Sequence, residues 1–340
     1  MKRAIYKGIK DISIENYNKP KVTEKDILVK VMRNGICGSD LHAYNLGGDE
    51  IGIYKGAAIG HEFVGEVAEI GNDVKGIHVG DHVFINPSIA KAKPGMLAMA
   101  GGLSQYDLIQ NAKLNWNVFE LDKSLSWDRA SVIEPYSVGI HGKNLVDPKP
   151  TKNYVILGAG PVGLGAASGL YEQGCRNVVI IDIAEDRLAF AQNKLHIDTL
   201  NPNQVDLYKK LEERFGTTAG LLGDPRLNID AFIDCVGLPQ YMNDFIGKAK
   251  MDSIFVVVAL GSKEVSFKPQ FLAMNELSLV GSAIYNADDI LEAISNIENS
   301  DNNFPDIVSA HYPLEKVKDA FERANNDKNI IKVIIDVNEQ

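Results

Sequence analysis

Cys37, Asp40, His42, His61 and Glu62 put a thiol, two imidazoles and two carboxylates into one short stretch of chain. Zinc accepts these donor types, and a catalytic zinc uses three protein ligands with a fourth position left for water or substrate. Spacing alone leaves two readings open here, a metal site or polar side chains held for structural reasons. A second stretch, residues 154–163, reads Tyr-Val-Ile-Leu-Gly-Ala-Gly-Pro-Val-Gly, an apolar strand running into G-x-G-x-x-G and a helix. In such a turn Gly158 permits the tight bend, Gly160 lets backbone approach a pyrophosphate, and Gly163 lets the helix pack close to the strand. Pro161 and Val162 open that helix, whose unpaired N–H groups and partial positive charge suit phosphate. The next strand ends at Asp182, whose carboxylate can accept hydrogen bonds from ribose hydroxyls and repel a 2′-phosphate, so NAD is expected over NADP. Arg187 argues the other way, because a guanidinium there could serve a 2′-phosphate if Asp182 turned aside.

The elements that carry these residues fall into two kinds. The first 110 residues hold strand signals at 27–31, 63–70 and 82–85 with Gly, Asn and Asp between them, which reads as an antiparallel β domain. At Glu134-Pro135 a short helix over 136–145 begins, with proline suited to its first position. From there apolar runs at 154–157, 178–181, 231–233, 254–260 and 277–280 alternate with helical segments such as 204–215 and 241–250, the pattern of a doubly wound parallel sheet. Two helices, 287–298 and 314–325, and a strand, 330–337, complete the chain and are expected to return to the first domain. The resulting division is 1–146, 147–282 and 283–340.

Bulk composition narrows the function further. A chain of 340 residues with 45% hydrophobic content exceeds what one core usually holds. Its net charge of −10 and lack of a basic run exclude a nucleic-acid partner. The longest apolar run, 254–260, is far short of the roughly 20 residues a membrane helix needs, and the N-terminus lacks the apolar stretch of a signal peptide. Three scattered cysteines fit a reducing, cytoplasmic setting, with Cys175 and Cys235 read as small buried hydrophobes.

Several motifs now agree in order and spacing: Gly35-Ile36-Cys37-Gly38-Ser39-Asp40-Leu41-His42, Gly60-His61-Glu62-Phe63-Val64-Gly65, Gly80-Asp81-His82-Val83, Glu134-Pro135, and Gly158 to Gly163. Over the whole chain they resemble the zinc-dependent medium-chain dehydrogenase/reductase family, and residues 133–141 most resemble its sorbitol, polyol and 2,3-butanediol dehydrogenase branch. The resemblance implies a GroES-like catalytic domain beside a Rossmann domain, and a homodimer or homotetramer. It implies one catalytic zinc on Cys37 and His61, with Glu62 as third ligand and Glu134 bound directly or through water. His61 and Glu62 are neighbours, so both reach one ion only if Gly60 opens a turn before them. Without a metal role, Glu134 reads as a helix cap. Ser39 and His42 match the family's proton relay, against a plain reading of Ser39 as a helix cap, and Asp40 is given a structural role. Relatives with a structural zinc carry four cysteines after the equivalent of Val83-Phe84. This chain has none between Pro87 and Gly101, so no second zinc is expected.

The implied reaction is NAD-linked oxidation of a secondary alcohol in a polyol or vicinal diol, and the reverse reduction of a ketone. L-Threonine dehydrogenase is the nearest enzymatic alternative. A catalytically silent nucleotide-binding protein is the alternative from another class. Tyr44, Tyr136 and Ile284-Tyr285 are candidates for a substrate wall, each with packing as its ordinary role.

Overall fold

The computed structural model describes residues 1–90, 101–299 and 301–338. The chain forms two compact units, one of residues 1–135, 293–300 and 305–340, the other of residues 136–292 and 301–304.

In the first unit β1 (Lys2–Gly8) and β2 (Asp11–Asn16) form a hairpin. They are followed by β3 (Ile27–Gly35), α1 (Gly38–Leu46), β4 (Glu62–Ile70), β5 (His82–Ile85), β6 (Tyr106–Ile109), β7 (Val118–Leu121) and the short α2 (Trp127–Ala130). Strands β3, β4, β5 and β7 pair antiparallel in that order. Their inward residues, among them Val29, Val31, Phe63, Val67 and Val83, are buried together in one apolar core. Helix α3 (Ile133–Asn144) starts two residues before Pro135, which therefore sits in the first turn, where its missing N–H costs nothing.

The second unit is a parallel sheet with helices between its strands. Its elements are β8 (Tyr154–Leu157), α4 (Pro161–Glu172), β9 (Val178–Ile181), α5 (Glu185–Lys194), β10 (Asp198–Leu200), α6 (Leu207–Phe215), β11 (Thr217–Ala219), β12 (Pro225–Leu227), β13 (Ala231–Asp234), α7 (Pro239–Lys248), β14 (Ile254–Val257), α8 (Gln270–Asn275) and β15 (Ser278–Gly281). The sheet order is β10-β9-β8-β13-β14-β15, so the winding reverses between β8 and β13. Such a switch point leaves a crevice at the carboxyl ends of the strands, the usual seat of a ligand in this architecture. Buried side chains explain the continuous apolar runs: every residue of β8, β9 and β13 is buried. Cys175 is buried as the sequence implies, whereas Cys235 is only half-buried, because it leaves the sheet in the turn after β13.

Helix α9 (Ala287–Glu298) leads back to the first unit, where β16 (Val308–Pro313) and β17 (Lys332–Asp336), with α10 (Val317–Asn326) between them, extend the sheet beside β3. Strand β17 pairs antiparallel with β3, setting Ile334 opposite Gly35. The first unit runs to Pro135, inside α3, and resumes at Ala293, inside α9, whereas the sequence division at 146 and 283 falls just outside those two helices. No helix among the described residues is long and apolar enough to cross a membrane, and all three cysteines are free thiols.

Candidate active site

Gly35 ends β3 and the chain turns at once into α1, with Cys37 as its N-cap in extended conformation. That position puts the sulfur at the positive end of the helix, where negative charge is favoured. The Asp40 carboxylate accepts from the Cys37 N–H at 3.0 Å and fixes the helix start. Cys37 and Asp40, not Ser39, therefore form the helix cap, and Ser39 and His42 are half-buried on the same helix, three residues apart.

Gly60 has φ +93°, a conformation open to glycine and costly for a side chain. A Cβ there would lie 2.7 Å from Leu103. This bend lets consecutive residues reach one place: ligand atoms of Cys37, His61 and Glu62 lie within 4.8 Å of one another. His61 and Glu62 are buried, and Cys37 is half-buried. Glu134, also buried, is close enough to act on the His61 charge but lies outside that tight group. It lies inside the first turn of α3, past the N-cap position the sequence reading gave it.

The electrostatics of this pocket favour positive charge. Burial opposes a charged His61, but the Asp40 carboxylate, the Cys37 sulfur and Glu134 outweigh burial and hold its pKa well above the ordinary 6.5. Burial pushes Asp40 up, against the attraction of His61 and the Cys37 N–H. His61 Nδ1 and Asp40 Oδ1 face each other at 3.7 Å, and neither has a hydrogen-bond partner. Three carboxylates and a thiol thus share this region with two cationic side chains, one of them only conditionally charged. A divalent cation on the Cys37–His61–Glu62 group would offset most of this negative charge, so the donor set fits a zinc ion by type and by the sign of charge.

The second cation is Lys332 on β17, which sequence reading missed. Its ammonium pairs with Glu62 Oε2 and donates to the Ile36 carbonyl at 3.1 Å, and both charged side chains are at most 2% exposed. Gly35 makes the room: a Cβ there would fall 2.1 Å from Glu62 Oε2 and 2.6 Å from Lys332 Cε. The only sequence signal was a lysine inside the apolar run that opens β17.

In the second unit Gly160 is the N-cap of α4 and Pro161 its first residue, with Val162 next. A Cβ on Gly163 would lie 2.0 Å from the Gly158 carbonyl oxygen, so only glycine lets α4 approach β8 this closely. Around Gly160 nothing lies within 4 Å of the Cβ direction, which leaves that side open. Asp182 follows β9 and is held by three backbone N–H groups. Its Oδ2 accepts from Ala159 N at 2.6 Å and its Oδ1 from Ile183 N and Ala184 N at 2.7 and 2.9 Å. Arg187 is half-buried in the first turn of α5. Sequence reading also missed an apolar rim: Ile183 after β9, Val236 and Leu238 after β13, and Leu260 after β14 are all exposed at the carboxyl ends of the strands.

Two aromatic candidates for a substrate wall are spent on packing. Tyr44 is buried edge-on against Phe321 and donates to Glu322 at 2.6 Å. Tyr136 is buried, stacks on Phe304 and shares hydrogen bonds with Ser168 and Asn302. Tyr285 is buried, and Ile284 is partly exposed with φ +61°. The shortened lobe expected to lack a structural zinc spans 88–100, and its residues 91–100 lie outside the described residues.

Residues 23–116 match the family model described as the alcohol dehydrogenase GroES-like domain, and residues 161–299 match that described as zinc-binding dehydrogenase. A sorbitol dehydrogenase of Bacillus subtilis is 29% identical, covering 98% of this chain and 97% of its own length. A D-xylulose reductase of Scheffersomyces stipitis is 27% identical, covering 96% of each chain. The crystal structure of a 2R,3R-butanediol dehydrogenase from Bacillus subtilis superposes with a TM-score of 0.86 over 99% of each chain at 24% identity.

Proposed function

The chain belongs to the zinc-dependent medium-chain dehydrogenase/reductase family, and on that premise we propose that it oxidises a secondary alcohol of a polyol or vicinal diol to the ketone with NAD as hydride acceptor. The observation that carries this reading is the convergence of Cys37, His61 and Glu62 in a buried, electron-rich pocket. Curated relatives that act on sorbitol or reduce D-xylulose support the substrate class.

Cys37, His61 and Glu62 would hold one zinc per chain, His61 through Nε2 with Nδ1 left facing Asp40, a carboxylate placed to fix ring orientation. Bound there, zinc supplies Lewis acidity that makes an alcohol hydroxyl easier to deprotonate. Glu62 keeps Oε2 on Lys332 and offers its other oxygen, while Glu134 faces the site as a second carboxylate. Ser39 and His42 share one face of α1 and are assigned the outward passage of the proton, His42 delivering it to solvent. The Gly158–Gly163 turn and the α4 N-terminus would hold the dinucleotide pyrophosphate. Asp182, kept in place by three backbone N–H groups, would take the adenosine ribose hydroxyls and so favour NAD over NADP. Ile183, Val236, Leu238 and Leu260 offer apolar surface for the cofactor's flat rings. The free edge of β15 is the place for a second copy to pair in a homodimer or tetramer, which light scattering tests. Three free thiols suit the cytoplasm.

The test combines elemental analysis of metal with NAD and NADP reduction on polyols, vicinal diols and threonine, before and after chelation. One zinc per chain and chelator-sensitive, NAD-preferring turnover of a polyol or diol is expected. Turnover that survives complete metal removal, or that occurs on threonine alone, refutes the reading.

A further inference from the structure

Asp182 and, against it, Arg187 are the groups so far weighed for dinucleotide choice, yet the carboxyl edge of the sheet holds a further candidate. Tyr241 stands in the first turn of α7, behind Pro239 at its start, in the loop-to-helix passage that follows β13. Leu157 and Ile181, the last residues of β8 and β9, line a cavity of about 10 Å3 with Tyr241 and Asp244. That space holds at most a single water, so the ring is seated firmly against the strand ends that also carry the glycine turn and Asp182. Asp244 is itself fixed, accepting from the Tyr208 hydroxyl and from Gln240 at 2.8 Å. Asp234, at the end of β13, is buried and accepts from Val236 N and Gly237 N, both at 2.9 Å. Tyr241 remains half-buried, packed on one side and open on the other. Asp244 lines the same cavity as the ring, while Asp234 ends β13 and Asp182 follows β9, the strands on either side of β8; burial raises the phenol pKa and these negative charges raise it further.

We propose that Tyr241 is a second determinant of dinucleotide choice, a rigid wall beside the adenosine ribose that leaves a 2′-phosphate no room, among carboxylates (Asp182, Asp234 and Asp244) that outnumber the one guanidinium, Arg187, able to pair with it. The inference rests on the reading of Asp182 as the ribose-binding carboxylate. A phosphate added at that ribose brings nearly two negative charges. Neutralising Asp182 alone leaves the wall and two carboxylates in place, so it narrows the preference without reversing it.

The experiment titrates the purified, zinc-loaded enzyme with NADH and with NADPH by fluorescence, comparing wild type, Asp182→Asn, Tyr241→Phe, Tyr241→Ser and the Asp182→Asn/Tyr241→Ser pair. Tyr241→Phe keeps the wall and is expected to match wild type. Tyr241→Ser is expected to tighten NADPH binding about tenfold while NADH changes less than about threefold, and the pair to bind NADPH at least as tightly as NADH. Should Tyr241→Ser fail to fold, Tyr241→Thr carries the same expectation. Equal weakening of both nucleotides, or an unchanged ratio, marks Tyr241 as structural and overturns the inference while leaving Asp182 intact. Wild type that binds NADPH as tightly as NADH overturns the Asp182 reading and this inference with it.

Discussion

Lys332→Met separates the roles of the two glutamates. In the metal-free protein this change leaves the Glu62 carboxylate almost wholly buried without its cation, since the pair is at most 2% exposed. Breaking a buried ion pair from one side costs about 3–5 kcal/mol. A unit of this size loses roughly 2–4 °C in Tm per kcal/mol, so the metal-free variant should melt about 10 °C below wild type. If Glu62 is the third ligand, a bound zinc ion supplies the missing positive charge, and the variant should regain most of that loss on zinc addition. Its zinc-induced rise in Tm should therefore exceed that of wild type by several degrees. The double change Glu62→Leu/Lys332→Met provides the control, because an apolar pair of similar volume removes both charges and is expected to melt near metal-free wild type but bind zinc weakly. The assay is differential scanning fluorimetry with and without chelator, together with zinc content by elemental analysis. A Lys332→Met protein whose metal-free Tm matches wild type would refute the buried-pair argument. One whose deficit persists undiminished with zinc bound would assign the third ligand to Glu134.

Further outcomes follow from the same geometry. Cys37→Ala should lower zinc from one per chain to a small fraction and cut kcat/KM by more than about a hundredfold, read by elemental analysis and initial rates. Gly163→Val drives a side chain against the Gly158 carbonyl, which a Cβ would meet at 2.0 Å; NADH binding should be lost while zinc content stays at wild-type level. Tyr44→Phe should cost about 1 kcal/mol by losing the hydrogen bond to Glu322 and leave KM for substrate unchanged, a shift in KM being the result that restores Tyr44 to the substrate wall. His82 is held below its ordinary 6.5, chiefly by burial, beside Trp127. The unfolded chain therefore binds this proton first, so its contribution is present above pH 6.5 and is lost as the pH falls towards the folded-state pKa. Melting curves of His82→Gln should show a shallower fall in Tm over that acidic interval.

The sequence was most legible where one physical cause acts alone. Strands 154–157 and 178–181 are uniformly apolar because both faces are buried, and they appear at those residues. Helix 287–298 has a clear amphipathic period and was likewise read to its ends. Gly60 was readable because two adjacent ligands cannot share an ion without a bend. Elements held by long-range pairing were less visible: β6 and β7 are four residues each and owe their existence to β3 and β5. The hairpin β11–β12 is three residues a side, too short for a period. Lys332 is the most instructive omission. A lone lysine in an apolar strand looks like an edge residue, and nothing local reveals that Glu62 lies across two sheet neighbours.

That omission changes how the site is understood. Read as a motif, His61-Glu62 supplies two ligands; placed in the sheet, Glu62 is shared between a metal position and a fixed ammonium, with Gly35 providing the space for both. A carboxylate so divided is a weaker metal donor than a free one, and an ion that holds it less firmly can exchange a ligand at lower cost. Glu134, buried and near enough to act on the His61 charge but outside the tight group, is the carboxylate we propose as the alternative ligand. The zinc-rescue measurement on Lys332→Met therefore bears on more than one residue: a large rescue means Glu62 binds the metal once its lysine is gone, and an absent one means that Glu62 stays off the metal even without the lysine and leaves the place to Glu134.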